Sequence, residues 1–263
     1  MPLIDPATLQ PLLTAVRGRF DVDSIEECDS TNTVLMRRAG EGAPSGTVLV
    51  ADFQSAGRGR RGRSWTAAPE SGLLFSLLWR FNRTLADLCG LSLAIGVAVT
   101  EALEALGARG VGVKWPNDLL FQDTKLAGIL VELASDPRGT LAIIGIGLNL
   151  HTPDGDLPQP ACGLDAVLHP VPDRHTLLAK ILTTLAPTLD HFDAEGFAAL
   201  QARWQHYHAW QDRQVDILGD STGKISGACL GADQDGALLL STPEGIRRFL
   251  SGEISLRKKG SPC

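Results

Sequence analysis

The sequence predicts an α+β fold in two unequal parts. Three observations predict it. Short apolar strands separated by turns crowd the stretch 111–150, beside only a few helical runs. Strand patterns recur beyond residue 212 with no helical pattern among them. The 263 residues are 44% hydrophobic and 21% charged, which suits one large packed domain or two unequal ones.

The elements follow in order. Residues 7–20 predict a short amphipathic helix with Leu9, Leu12, Leu13 and Val16 on one face. Asp29-Ser30-Thr31-Asn32, any of which can cap, precedes a helix ending near Gly40. Residues 47–52 and 73–81 read as strands, and 85–106 as a core helix that stops at Gly107. Strands are expected at 111–115, 119–121, 126–133 and 141–150, too closely spaced for βαβ repeats. A loop rich in Pro, Asp and His fills 153–175, and helices are expected at 176–190 and 194–209. Past Gln211-Asp212-Arg213, residues 215–218, 224–230, 237–240 and 246–250 read as strands, with Gly219-Asp220 and Asp235-Gly236 as turns. The domains are therefore expected at 1–211 and 212–263.

Composition narrows the function. A formal net charge of −6 argues against non-specific polyanion binding. The most apolar stretch, between Asp87 and Glu101, holds 13 residues, too few to span a bilayer, so no membrane partner is expected. The start, Met1-Pro2-Leu3-Ile4-Asp5, lacks the basic region of a secretory signal. Cys28, Cys89, Cys162, Cys229 and Cys263 are odd in number and scattered, which predicts reduced thiols in a cytoplasmic protein. His206 and His208 stand among Trp204, Tyr207 and Trp210, a packing cluster rather than a metal site.

The chemistry-bearing segment is Gly57-Arg58-Gly59-Arg60-Arg61-Gly62-Arg63, followed by Ser64-Trp65. Glycine lets backbone approach a ligand. Arginine presents a planar, permanently charged fork to carboxylate or phosphate. Together they describe a loop that closes on an anion; a solvated loop or a nucleic-acid patch is the alternative. In Lys114-Trp115-Pro116-Asn117-Asp118 the proline fixes a turn that sets an amide beside a carboxylate, either a Mg²⁺ and phosphate site or simply a turn. Lys125 opens an otherwise apolar strand and either reaches solvent or points at an anion. Gly145-Ile146-Gly147-Leu148-Asn149 alternates small and large residues, which lets something approach closely. Asn149 is its one polar side chain.

These segments together resemble the biotin–protein ligase family. The signatures stand in order: Asp29 to Asn32, Gln54 to Trp65, KWPNDLL at 114–120, KLAGILVE at 125–132, GIGLNL at 145–150 and GEISLR at 252–257. The resemblance covers about residues 25–260. It implies a mixed-sheet catalytic domain of the class II aminoacyl-tRNA synthetase and biotin ligase type, followed by a small SH3-like barrel. It implies two steps: biotin and MgATP give biotinyl-5′-AMP, then a lysine of a biotin carboxyl carrier domain takes the biotinyl group.

Carried over, the resemblance assigns biotin binding to Ser30, Thr31, Asn32, Gln54, Arg58, Gly59, Arg60, Lys125 and Gly128. It assigns ATP binding to Arg60, Arg61, Trp65, Asn117, Asp118, Lys125 and Asn149, and Mg²⁺ to Asp118. Lys125, Arg58 and Arg60 are the expected catalytic residues. Arg257 and Glu253 are candidates to reach back to ATP, or are surface ion-pair residues. Some family members carry an N-terminal DNA-reading domain; too few residues precede Asp29 for a three-helix unit, so no DNA partner is expected. An edge strand can support a homodimer or dock the acceptor, and family members do both. The rival readings are a lipoate or octanoate ligase and, in another class, a nucleic-acid-binding module using the arginine loop.

Overall fold

The computed structural model describes residues 3–259 except 137, 156, 158, 220–222 and 252–253. Asp220 of the expected Gly219-Asp220 turn, Glu253 and Cys263, all named above, lie outside the described residues. The larger sheet has seven strands: β1 (Asp21–Cys28), β2 (Thr47–Gln54), β3 (Gly72–Phe81), β4 (Val111–Lys114), β5 (Asp118–Phe121), β6 (Thr124–Asp136) and β7 (Gly139–Asn149). Their spatial order is β1-β2-β3-β7-β6-β5-β4. Only β1 and β2 run parallel; every other pair is antiparallel.

Alternation along the strands builds two cores. One face packs against α3 (Leu91–Ala105), which is covered in turn by α4 (Arg174–Glu195). The other face, through Leu49, Leu78, Leu141 and Ile143, packs against Leu35 and Ala39 of α2 (Thr31–Gly40). α1 (Pro6–Leu9) and α5 (Gln201–Tyr207) are short and lie at the ends of the helical layer.

A smaller five-stranded sheet follows: β8 (Gln214–Gly219), β9 (Gly223–Ala232), β10 (Leu238–Thr242), β11 (Gly245–Phe249) and β12 (Ile254–Lys258), ordered β11-β10-β9-β8-β12. It is the expected SH3-like module. It is docked, not tethered. Asp123, at the turn between β5 and β6, accepts from Trp210 Nε1 at 3.0 Å and Arg213 Nη1 at 2.9 Å, and pairs with Lys258 Nζ at 2.6 Å. Trp115 Nε1 donates to the Gly236 carbonyl at 3.0 Å. A Cβ on Gly236 would meet the Gly90 Cα at 2.7 Å, so two backbones touch across the junction.

Several expectations are corrected. The helix expected at 7–20 is a single turn of α1 followed by a 3₁₀ segment (Gln10–Val16), kinked at Leu13. Leu12 is 45% exposed, off the buried stripe of Leu9, Leu13 and Val16. The helix expected at 85–106 is a 3₁₀ turn (Leu85–Leu88) and α3, separated at Cys89-Gly90, where Gly90 takes φ 81°. The 21 residues Leu85–Ala105 together are long and apolar enough to cross a membrane by length and composition, more than the 13 counted above; 61% of the 18-residue window that meets the test is buried within the protein. The helix expected from 194 begins as a 3₁₀ turn at Phe197. β1 and β12 were not expected. The aromatic cluster is packing, as read: His208 stacks on Trp204 with centroids 4.5 Å apart, and burial lowers its pKa to about 4.

Candidate active site

Sheet register assembles the site. Lys114 pairs with Asp118 across the β4–β5 hairpin, Asp118 with Gly128 of β6, and Gly128 with Gly147 of β7. A second row runs from Ser76 of β3 to Gly145 of β7 to Leu130 of β6. Three glycines thus leave a strip of sheet bare on the side that carries α2. What approaches there is visible: a Cβ on Gly147 would meet the Trp65 ring at 2.5 Å, one on Gly128 the same ring at 2.8 Å, and one on Gly145 Asn32 Oδ1 at 2.3 Å.

A register shift places the key lysine. Leu119 pairs with Ala127 but Leu120 pairs with Lys125, so one extra residue bulges from β6. In regular alternation Lys125, three residues from Gly128, faces away from it. The bulge brings it to the same side, where its ammonium lies 2.6 Å from Asp118 Oδ1 and 5.3 Å from the Trp65 ring centroid. The backbone of Lys125 is clipped in place by segment 160–162, and Asn149 Nδ2 donates to the Cys162 carbonyl at 3.1 Å and to that of Lys125 at 3.4 Å.

Asp118 is shared. Lys114 Nζ stands 3.5 Å from its other oxygen and 4.8 Å above the Trp210 ring. Burial acts to raise the Asp118 pKa, but Lys125 and Lys114 outweigh it and hold the carboxyl below the usual carboxylate range. Burial lowers the Lys114 ammonium, and Asp118 partly restores it. The Mg²⁺ assignment therefore does not fit Asp118 as placed: both of its oxygens face ammonium groups.

The arginine loop covers this floor. Arg60 Nη1 donates to Asn117 Oδ1 at 3.3 Å and Nη2 donates to the Ser251 carbonyl of the small module. Asn117 Nδ2 donates to the Ile129 carbonyl at 2.7 Å. Arg58 Nη2 pairs with Glu132 Oε1 at 2.8 Å. Arg61 takes φ 59°, a left-handed turn that tightens the loop between Gly59 and Gly62. Among the described residues the resulting cleft, about 690 Å³, is lined by seven cationic side chains, Arg58, Arg60, Arg61, Arg63, Lys114, Lys125 and Arg257, and by one carboxylate, Asp118. In a chain of net charge −6 this focuses positive potential on one hollow. Burial, and then the neighbouring Arg63, lower the Arg257 pKa, as expected of a cation drawn into a crowded cationic wall.

The neutral end of the cleft is built differently. Thr31 N and Oγ1 both donate to Gln54 Oε1, at 2.8 and 3.1 Å. The Ser76 hydroxyl, fully buried, lies 2.7 Å from Thr31 Oγ1 and 2.6 Å from Asn32 Oδ1.

Residues 24–149 match the Biotin/lipoate A/B protein ligase family, and residues 212–257 match the biotin protein ligase C-terminal domain. The bifunctional ligase/repressor BirA of Escherichia coli is 41% identical over 255 residues, covering 92% of this chain and 77% of that protein. The chain belongs to the biotin–protein ligase family. The biotin--[acetyl-CoA-carboxylase] ligase of Mycobacterium tuberculosis is 35% identical, over 70% of each protein. The Aquifex aeolicus biotin protein ligase, solved in complex with biotin and ATP, superposes with a TM-score of 0.76 at 34% identity, over 91% of this chain and 99% of that one.

Of the residues that the resemblance nominated, this ligase brings Thr31, Gln54, Arg58, Gly59, Arg60, Arg61, Trp65, Asn117, Asp118, Lys125, Gly128, Asn149 and Arg257 onto one cleft wall. Ser30 and Asn32 sit behind that wall, 2% and 3% exposed. Ser30 is the residue before α2 and makes no side-chain cap bond. Sequence reading did not single out Ser76, Lys114 or Glu132. Lys114 and Glu132 stand at the ends of two quoted signatures and Ser76 outside them, and only strand register shows what any of the three does at the site.

Proposed function

We propose that this chain activates biotin with ATP and transfers it to a lysine of a biotin carboxyl carrier domain. One observation carries the reading: the Lys125 ammonium is fixed at the neck of the cleft by Asp118 and Trp65, beneath the arginine loop. At this neck the neutral end of the cleft meets the cationic end. A carboxylate and a triphosphate repel each other, and fixed positive charge brings them together. Among the described residues the Trp65 Nε1 donor is buried without a partner, against the bare strip at Gly147.

In the first step a biotin carboxylate oxygen bonds to the α-phosphorus, the α–β phosphoanhydride bond breaks, and pyrophosphate leaves. Lys125 and Arg60 offset the charge that gathers there, and positioning does the rest. In the second step the acceptor amine bonds to the acyl carbon, the bond to AMP breaks, and the amine gives up a proton. ATP enters as its Mg²⁺ complex in this reading; Asp118 does not hold the ion and no step is routed through it. The free thiols of Cys28, Cys89, Cys162 and Cys229 support a cytoplasmic setting. Beyond Ile129, which Asn117 engages, β6 has no strand partner on its β5 side among the described residues, and that edge suits a second copy of the chain, which sedimentation tests.

The deciding experiment is [³²P]pyrophosphate–ATP exchange with and without biotin. Biotin-dependent exchange is expected. Exchange with lipoate alone would move the chain to the sister activity, and exchange with neither would overturn the adenylation reading.

A further inference from the structure

The geometry points to Glu132 as a positioning residue for biotin capture, acting through Asn32 and Arg58 at once; the assignment rests on the ligase reading above. Glu132 is on β6, opposite Ile143 of β7. Its Oε2 accepts from Asn32 Nδ2 at 2.8 Å, and its Oε1 faces Arg58 Nη2 at 2.8 Å. Both contacts join a donor to an ionised acceptor, the stronger kind of hydrogen bond.

The first contact decides which way the Asn32 amide points. Its nitrogen is held by Glu132 and, at 3.4 Å, by the Leu130 carbonyl, so its oxygen faces Ser76. The flipped amide would set its oxygen against the Glu132 carboxylate and the Leu130 carbonyl, both acceptors, whereas the Ser76 hydroxyl can serve either orientation. This amide lies where only a glycine at 145 leaves room. Asn32 is next to Thr31, whose N–H and hydroxyl orient Gln54 on the cleft wall. The second contact holds the first arginine of the loop and offsets its charge until an anion competes for it. Gln54, Thr31, Ser76, Asn32, Glu132 and Arg58 thus form one continuous chain, from the base of the loop back to its first arginine.

This arrangement makes Glu132 matter for the capture of biotin rather than for the chemical step. The test measures KM for biotin, KM for ATP and kcat by pyrophosphate exchange. The proteins are wild type, Glu132→Gln, Asn32→Asp and the double variant, each with a thermal midpoint. Glutamine at 132 has one acceptor and one donor end, so it serves one of its two partners and opposes the other. Glu132→Gln should raise KM for biotin about tenfold, the size of one lost charged hydrogen bond, with KM for ATP and kcat within about threefold. Asn32→Asp sets two carboxylates together and should do at least as much. In the double variant the carboxylate at 32 accepts from the new amide at 132, whose oxygen still faces Arg58, and KM for biotin should return to within about threefold of wild type. A purely structural role would lower the thermal midpoint without separating the two KM values. An unchanged KM for biotin in Glu132→Gln, or a double variant no better than the worse single, would overturn the proposal. Wild-type protein without biotin-dependent exchange would overturn the ligase reading instead.

Discussion

The two ends of the cleft are built on neighbouring rows of the same sheet and in opposite ways. At the α2 end, Gln54, Thr31, Ser76 and Asn32 bond to one another, and the one carboxylate, Glu132, has a partner on each oxygen. At the β4–β5 end, Lys114 and Lys125 share Asp118, and arginines crowd above them. The first end can select a ligand by fixed donor and acceptor positions. The second can only select by charge, and its surplus is what a triphosphate relieves.

The most forceful way to break this contrast is Lys125→Ala. Biotin-dependent exchange should fall about 10²- to 10³-fold, as for loss of one pre-organised transition-state charge, with the protein still folded although Asp118 keeps only Lys114. Exchange within a few-fold of wild type would mean that the surplus cations substitute for one another. Arg60→Gly should come next. It cuts the contacts to Asn117 and Ser251, and release of biotinyl-AMP, read as labelling of unrelated proteins, should rise by about tenfold or more. Unaltered acceptor selectivity would show that the loop closes without this arginine. Gly145→Ala sharpens the other end: its Cβ would crowd Asn32 Oδ1 at 2.3 Å, so KM for biotin should rise about tenfold while KM for ATP stays within about threefold. Parallel rises in both would erase the distinction.

The smallest effect concerns what carries the cationic end. Asp123→Asn weakens the contacts to Arg213 and Lys258 and should lower the melting midpoint by a few degrees, about 1 kcal/mol after allowance for partial exposure. Despite the opposing effect of burial, Lys258, Arg213 and Trp210 hold the Asp123 pKa down at about 2. Its contribution is therefore complete above the unfolded value near 3.9 and is lost as pH falls toward about 2. Acid titration of the midpoint should show a shallower fall in the variant over that window; parallel curves would assign the acid loss to other carboxylates.

Much of this was legible in the sequence, for local reasons. β2 to β7 announce themselves by apolar strand patterns, and the arginine loop by composition. β1 did not, because Asp21–Cys28 is an acidic edge strand with Val22 its one buried side chain. The break at Gly90 was hidden in an apolar run, since its cause is the Phe197 ring packed 2.6 Å from where a Cβ would be. At the site, Lys125 was visible but its direction was not, because a bulge sets it. Asn32 was legible as a site residue, but its engagement with Ser76 and Glu132 depends on contacts 44 and 100 residues away in the chain.

The contact of Gly90 with Gly236 has a consequence for variation. Where side chains meet, a junction can be retuned by rotamers, and substitutions shade from mild to severe. Here bare backbone rests on bare backbone, in left-handed conformations on both sides, φ 81° and 79°. The pose of the small module is a mechanical stop with no adjustment. Drift at either position would tilt Arg257 and the Ser251 carbonyl away from the loop together, so two glycines far from any substrate should be among the least replaceable residues of the chain.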